Sequence, residues 1–240
     1  MRRIYQSAQL VLIWLGPDCD EKYAKAAVQG IVTITDFVCE KVKIPKSELS
    51  SLDNIYQEVI FRHRDILPVP DKGPFSTEEL WKSLLWFFSQ AYFTRVWAIQ
   101  EINAHKAPLL YCGHESVSWE QVNVVAGYII METAFSQKYG FSKAYCWWAS
   151  TVTTELVQAR NWLFMLYLAS NFKATDSRDF LYGLFGLMEF EDGGAILKPD
   201  YSKSVREVYR DSVEAALVNF KNTQVLLYLT GNESPSWVPD

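Results

Sequence analysis

Apolar and polar positions follow two different periods along this chain. Gln9 to Leu15 is a continuous apolar run rich in branched residues, which predicts a buried strand. Gly16-Pro17-Asp18 breaks it. From Glu21 to Val42 the apolar residues Ala24, Ala27, Val28, Ile31, Ile34 and Val38 recur at helical spacing. Residues 43–75 hold four of the nine Pro, mixed charges and weak periodicity, so a variable insertion with one short helix around Leu52 to Phe61 is expected. Ser76-Thr77-Glu78-Glu79 reads as a capping box, opening a helix that turns Leu80, Leu84, Leu85 and Phe88 inward. Tyr92-Phe93-Thr94 is a break, and a helix around Trp97 follows. Leu109 to Cys112 predicts a short strand ending in a Gly turn. Ser118-Trp119-Glu120-Gln121 is a second capping box, for a helix through about Met131. Glu155 to Ala169 has a helical pattern with no Gly or Pro inside. Another helix begins at Asp176 and buries Leu181, Leu184, Phe185 and Met188. Ser204-Val205-Arg206-Glu207, a third box, starts a helix with Val205, Val208, Tyr209, Ala216, Leu217 and Phe220 on its apolar side. Residues 1–8 read as the end of a helix and Gln224 to Leu229 as a final strand or helix. The pattern alone gives a mostly helical chain with a small sheet.

Composition is that of a globular protein. With 240 residues, 49% hydrophobic and 21% charged, there is ample chain for one domain or one and a half. Aromatics reach 15%, with nine Trp, which suits a thick core or an aromatic surface awaiting a partner. A net charge of −5 and the absence of a basic stripe argue against nucleic-acid binding. No apolar run approaches the length of a membrane span, and Leu10 to Leu15 is too short for a signal peptide, so no membrane partner and a cytoplasmic location are expected. Cys19, Cys39, Cys112 and Cys146 form no CxxC pair and read as reduced thiols. Cys112-Gly113-His114 is the one tight Cys/His pair, and a pair cannot complete a four-ligand zinc site, so no metal is expected.

The run Phe93-Thr94-Arg95-Val96-Trp97-Ala98-Ile99-Gln100-Glu101 carries the candidate chemistry. Trp97 and Glu101 share a helix face, and desolvation beside a large ring raises the proton affinity of a carboxylate, which suits acid/base or charge-stabilising work. The alternative is a polar helix edge, with Glu101 solvated or paired with Arg95 or Lys106. In Asp176-Ser177-Arg178-Asp179, Asp176 suits an N-cap and Asp179 the start of a helix dipole, with Arg178 free to pair with a carboxylate across the domain. Asp200-Tyr201 is expected to fix the loop before the last amphipathic helix.

Taken in order, several segments resemble the heterokaryon-incompatibility (HET) domain of filamentous fungi. They are Ile4-Tyr5 through Trp14-Leu15-Gly16, Arg95-Val96-Trp97 with Gln100-Glu101, Cys112-Gly113 through Trp119, Ala174-Thr175-Asp176 through Leu187, and Pro199-Asp200-Tyr201 through Val205. The tail Pro235-Ser236-Trp237-Val238-Pro239-Asp240 resembles what often follows that domain. The resemblance implies a HET domain over 1–230, with a linker or following region from 231–240. The family's opening strands, "Y.ALSY.WG" and "WIDA.CINQ", have no counterpart here, so an N-terminally truncated domain is expected. The HET domain is in turn similar to TIR domains, which implies an incomplete, helix-rich, flavodoxin-like α/β fold with a small parallel sheet and added helices. In TIR domains a Trp-to-Glu segment of the same spacing carries the Glu of NAD cleavage. By that resemblance Glu101 is the catalytic carboxylate, Trp97 packs behind it, and Arg95 and Gln100 support it. No cofactor is implied, NAD being a substrate. The implied role is non-self recognition leading to cell death, with other HET or sensor proteins as partners and a homo-oligomer allowed. With two strands lacking, loss of activity is expected over its retention, and the alternative is a non-catalytic interaction module.

Overall fold

The structure, a computed structural model, describes residues 8–18, 22–103, 108–141, 169–185, 198–218 and 223. The chain divides into two compact units. The larger takes in Arg3–Thr94 and Glu101–Glu155, and the smaller Met1–Arg2, Arg95–Gln100 and Leu156–Asp240.

The larger unit holds a three-stranded sheet in the order β1-β2-β3, with β1 at Leu12–Trp14, β2 at Leu109–Cys112 and β3 at Glu115–Ser118. β1 runs parallel to β2, with Ile13 opposite Leu110, while β3 returns antiparallel, with Val117 opposite Leu110. The sheet is therefore mixed, where a parallel one was expected. The added strand β3 has one strongly apolar residue, Val117, and exists because the Gly113-His114 turn folds it back on β2.

The run from Gln9 to Leu15 also departs from expectation. It is a strand, but its burial alternates. Val11, Ile13 and Leu15 are buried, whereas Leu10, Leu12 and Trp14 are 49%, 60% and 57% exposed. A fully buried strand needs cover on both faces. The inner face, which includes Leu110, Cys112 and Val117, is buried, and helix α1 (Ala24–Val42) packs on β3. Asp18 tethers the start of α1, its carboxylate accepting from the backbone N–H of Tyr23 at 2.9 Å and of Ala24 at 2.7 Å. Cys39 on α1 and Cys112 at the end of β2 are buried free thiols. Burial pushes the Cys112 thiol up to about 11, with the nearby Asp18 charge adding to it.

Helix α2 (Glu78–Phe88) packs on α1, as does helix α4 (Trp119–Ile130). Between them in sequence lies α3 (Val96–Asn103), and α5 (Thr133–Tyr139) follows α4. The box at Ser118 forms as predicted, with Ser118 Oγ accepting from the Gln121 N–H and the Gln121 side chain accepting from the Ser118 N–H. The box at Ser76 does not form. Thr77 is the N-cap, without a side-chain bond, although the helix still begins two residues after Ser76. Trp81 and Phe87 of α2 reach the core along with Leu84 and Phe88, while Leu80 and Leu85 stay half-buried. The Trp81 indole N–H donates to the Phe75 carbonyl at 2.8 Å, and its ring meets Phe135 edge-on at 4.7 Å.

Where a short helix around 52–61 was expected, a π-helical turn at Tyr56–Ile60 runs into a 3₁₀ turn at Phe61–His63, and residues 43–75 carry further 3₁₀ turns at Lys46–Ser51 and Pro70–Lys72. They are not a surface appendage. Leu49, Ile55, Val59, Ile60, Leu67 and Phe75 are buried, and the Tyr128 hydroxyl of α4 donates to the Pro68 carbonyl at 2.8 Å. Gly127 of α4 permits that approach: a β-carbon there would stand 3.0 Å from the Tyr56 ring and 3.1 Å from Ile60.

In the smaller unit, helix α6 (Asp179–Phe185) and helix α7 (Val205–Val218) share a core of Leu181, Tyr182, Val208, Val213, Ala215 and Ala216. Trp97, Phe185, Tyr209 and Leu217 pack against it. The box at Ser204 forms, the Glu207 carboxylate accepting from the Ser204 N–H at 2.8 Å. Val205, expected on the apolar side, is exposed. The expectations for residues 1–7, Lys106, Glu155 to Leu168, Met188, Phe220, Gln224 to Leu229 and Pro235 to Asp240 lie outside the described residues. Among the described residues no helix is long and apolar enough to cross a membrane.

Candidate functional site

The residues singled out in the sequence converge around the first turns of α3. The chain reaches α3 through a 3₁₀ turn at Ala91–Thr94. The Val96 N–H, which an isolated helix would leave unpaired, donates to the Lys173 carbonyl at 3.0 Å, and Arg95 bridges Lys173 through its backbone. Val96, Ala98, Ile99, Gln100 and Ile102 are buried, Arg95 is exposed, and Trp97 and Glu101 are half-buried. Gly183 of α6 lies against Val96, where a β-carbon would come within 3.3 Å of a Val96 methyl.

Asp179 is the junction. Its carboxylate accepts from the Trp97 indole N–H at 3.0 Å through one oxygen and from the Tyr201 hydroxyl at 2.6 Å through the other. One turn along α3, the Gln100 amide donates to the Tyr182 carbonyl at 3.2 Å, while its buried Oε1 finds no hydrogen-bond partner among the described residues. The Tyr182 hydroxyl donates to the Asp200 carbonyl at 2.9 Å, and its ring meets the Tyr201 ring edge-on at 5.1 Å. The Asp200 carboxylate closes its own loop by accepting from the Ser202 N–H and hydroxyl, which holds it below the usual carboxylate range. Burial, and then the hydrogen bond to Asp179, raises the Tyr201 phenol.

Arg178 pins this loop to α6. Its Nη1 donates to the carbonyls of Tyr201 and Lys203, both at 2.7 Å, and the guanidinium lies 5.2 Å from the Tyr201 ring centre. The carboxylate it pairs with belongs to Asp176, two residues away, not to a residue across the domain. The long reach is made to backbone carbonyls, whose geometry a planar fork fits as well as it fits a carboxylate. Arg178 in turn depresses the titration of Asp176. Asp176 itself caps a turn, accepting from the Arg178 N–H at 3.0 Å, and the helix proper starts at Asp179.

Arg95, Trp97, Gln100, Asp176, Arg178, Asp179, Asp200 and Tyr201 thus lie in the smaller unit. All but Arg95 enter this bonding through their side chains or, for Asp200, also through its carbonyl. Glu101 stands one helical turn after Trp97, where the larger unit resumes. A surface cavity of about 350 Å³ lies elsewhere in the larger unit, lined by Lys46, Ser50, Glu120 and Gln121 among others, and by none of these residues.

Residues 1–101 match the family Heterokaryon incompatibility protein (HET). That match takes in Arg95, Trp97, Gln100 and Glu101. A second similarity extends over the whole chain, to Heterokaryon incompatibility protein 6, OR allele, of Neurospora crassa, at 24% identity over 294 residues. The chain spans 41% of the length of that relative. No solved structure matches. The HET match therefore ends within α3, and the Asp179 and Tyr201 bonds join HET-matched Trp97 to segments beyond it. Tyr182 stands in the motif from Ala174 to Leu187 but was given no role of its own in the sequence. Its flanking Asp179 and Gly183 give the signal that could have found it, since a Gly at a helix contact brings its neighbours close to the facing backbone.

Proposed function

We propose that this chain is a heterokaryon-incompatibility module that works in fungal non-self recognition, through other HET or sensor proteins in the cytoplasm. The observation that carries the reading is the coincidence of the two similarities, a HET match over 1–101 and a likeness along the full chain to a heterokaryon-incompatibility protein. Within that role we read Glu101 as the carboxylate of a TIR-like NAD glycohydrolase. Water attacks the ribose carbon as the bond to nicotinamide breaks, giving ADP-ribose, nicotinamide and a proton. The developing oxocarbenium charge is what an adjacent carboxylate stabilises. Trp97, oriented by Asp179, stands one turn before Glu101 on the same helix. The test is NAD consumption by the purified chain and by Glu101→Gln, beside cell death on expression in a compatible fungal host. Loss of both in Glu101→Gln, with an unchanged melting temperature, supports catalysis.

A second reading is a non-catalytic interaction module. It is favoured by the way the motif side chains are spent: Trp97, Gln100, Arg178, Asp179 and Tyr201 are all bonded to other parts of the chain. An unaltered chain that consumes no NAD, or death that persists in Glu101→Gln without NAD loss, selects this reading.

A further inference from the structure

We propose that the surface cavity between the Lys46–Ser51 turn and the start of α4 binds a small organic cation, a primary ammonium on a short chain with a second polar group, and that Glu120 is its counter-ion. The proposal stands apart from the NAD reading and does not depend on it. The turn contributes Lys46, Ser47 and Ser50, and the capped helix start contributes Ser118, Glu120 and Gln121. A volume of about 350 Å³ is at the low end of ligand pockets, which suits a small molecule. One group in it is unmatched. Glu120 is only 9% exposed, yet among the described residues no hydrogen bond or ion pair reaches its carboxylate. A buried carboxylate is normally paired, because desolvating the charge alone is costly. Its oxygens are not sealed in protein as the Trp119 indole nitrogen is, and what they meet is the cavity. The helix accounts for part of this. Glu120 is the acidic residue of the first turn, where the dipole favours a negative charge. A solvated Glu serves the dipole equally, so the dipole explains the residue type and not its burial.

The remaining groups decide the sign and kind of ligand. Lys46 is the one cation lining the cavity, and its Nζ lies 2.5 Å from Asp36 Oδ1, so its charge is already matched by a residue that does not line the cavity. The N–H groups that make a helix start attractive to anions are also taken. The Trp119 N–H donates to the Pro108 carbonyl and the Gln121 N–H to Ser118 Oγ. A carboxylate without a matching cation selects a positive ligand over phosphate or sulfate. A metal ion fits poorly. Magnesium and calcium gather about six or more oxygens, several of them charged, and Glu120 is the one charged oxygen donor here. Among the described residues no three His, Cys, Asp or Glu stand together. An ammonium asks for less, three acceptors around one nitrogen, of which Glu120 supplies the charged one. Ser47 and Ser50 offer hydroxyls at the exposed lip, and Leu49, the buried member of the turn, offers apolar contact for a short alkyl chain.

Titration of the full chain with aminobutanol, its ammonium and hydroxyl at opposite ends, tests this by heteronuclear NMR. Physiological salt screens the general attraction of a cation to a chain of net charge −5. Saturable shifts at the amides of Ser47, Ser50 and Gln121 are expected, with a Kd of roughly millimolar. Butanediol, of the same length with hydroxyls at both ends, should bind at least tenfold more weakly, and inorganic phosphate should leave these amides unmoved. Glu120→Gln keeps the shape, loses the charge and should weaken the amine at least tenfold. Its melt without ligand should not fall, because no partner loses a bond. Ser50→Trp narrows the mouth from an exposed position and should abolish binding with an unchanged melt. Lys46→Ala should not weaken the amine, whereas an anion site would lose its affinity. The proposal is overturned by an absence of saturable shifts, by butanediol binding as well as the amine, by phosphate competing with it, or by Glu120→Gln binding it as the parent does. Should Glu120→Gln fail to fold, Ser50→Trp and the butanediol comparison decide.

Discussion

Trp97 and Asp179 show how one hydrogen bond can tie a helix to a distant segment. The pair is 82 residues apart in sequence, and the acceptor is charged. Trp97→Phe keeps most of the ring and loses the donor, so it should destabilise the smaller unit by about 1–3 kcal/mol, read by chemical denaturation. Asp179→Asn should cost a similar amount and release Tyr201, whose absorbance would then titrate at lower pH than in the unaltered chain. The acid side follows from Asp176 and Asp200. Both carboxyls are held below their ordinary range, Asp176 by Arg178 and Asp200 by Ser202. Folded values below unfolded ones mean stability that is fully present above about pH 4, the ordinary carboxylate value, and lost as pH falls through the depressed values. Melting temperature should therefore drop below about pH 4, and Asp176→Asn should lower it at neutral pH while flattening that acid slope. An Asp176→Asn protein with the same slope as the parent would refute this assignment.

Elements were legible in proportion to how local their causes are. The boxes at Ser118 and Ser204 depend on contacts three residues apart, and both formed. The Ser76 box failed because Thr77 took the cap, a shift of one residue that the letters alone do not resolve. β3 was missed because Glu115-Ser116-Val117-Ser118 carries no strand pattern of its own and is ordered by pairing with β2. The packing of the turns over Lys46 to His63 was not legible for a related reason. Their cause is α4, whose Gly127 admits Tyr56 and Ile60. Gly127→Ala adds a methyl into contacts of 3.0 and 3.1 Å. Overpacking by about 1–3 kcal/mol set against about 1 kcal/mol of helix propensity leaves a net loss of about 0–2 kcal/mol. A thermal melt that rises on Gly127→Ala would show the turn to be adaptable. In the candidate site, the spacing of Trp97 and Glu101 on one helix was readable, because periodicity reports it. The Asp179 and Tyr201 partners were not, because a long-range bond leaves no period.

At the scale of the molecule, two units with separate cores offer two separate readouts, and the larger has one built in. The Cys112 thiol, held near 11 by its surroundings, is ionised in only about one molecule in ten thousand at pH 7. A disulfide reagent therefore reacts with it only in the moments when the sheet parts from α1. With Cys19 and Cys146 replaced by Ser, the slow colour change from Cys39 and Cys112 becomes a stopwatch for how often that layer breathes. Gly127→Ala should make it run fast, and Trp97→Phe should leave its pace untouched.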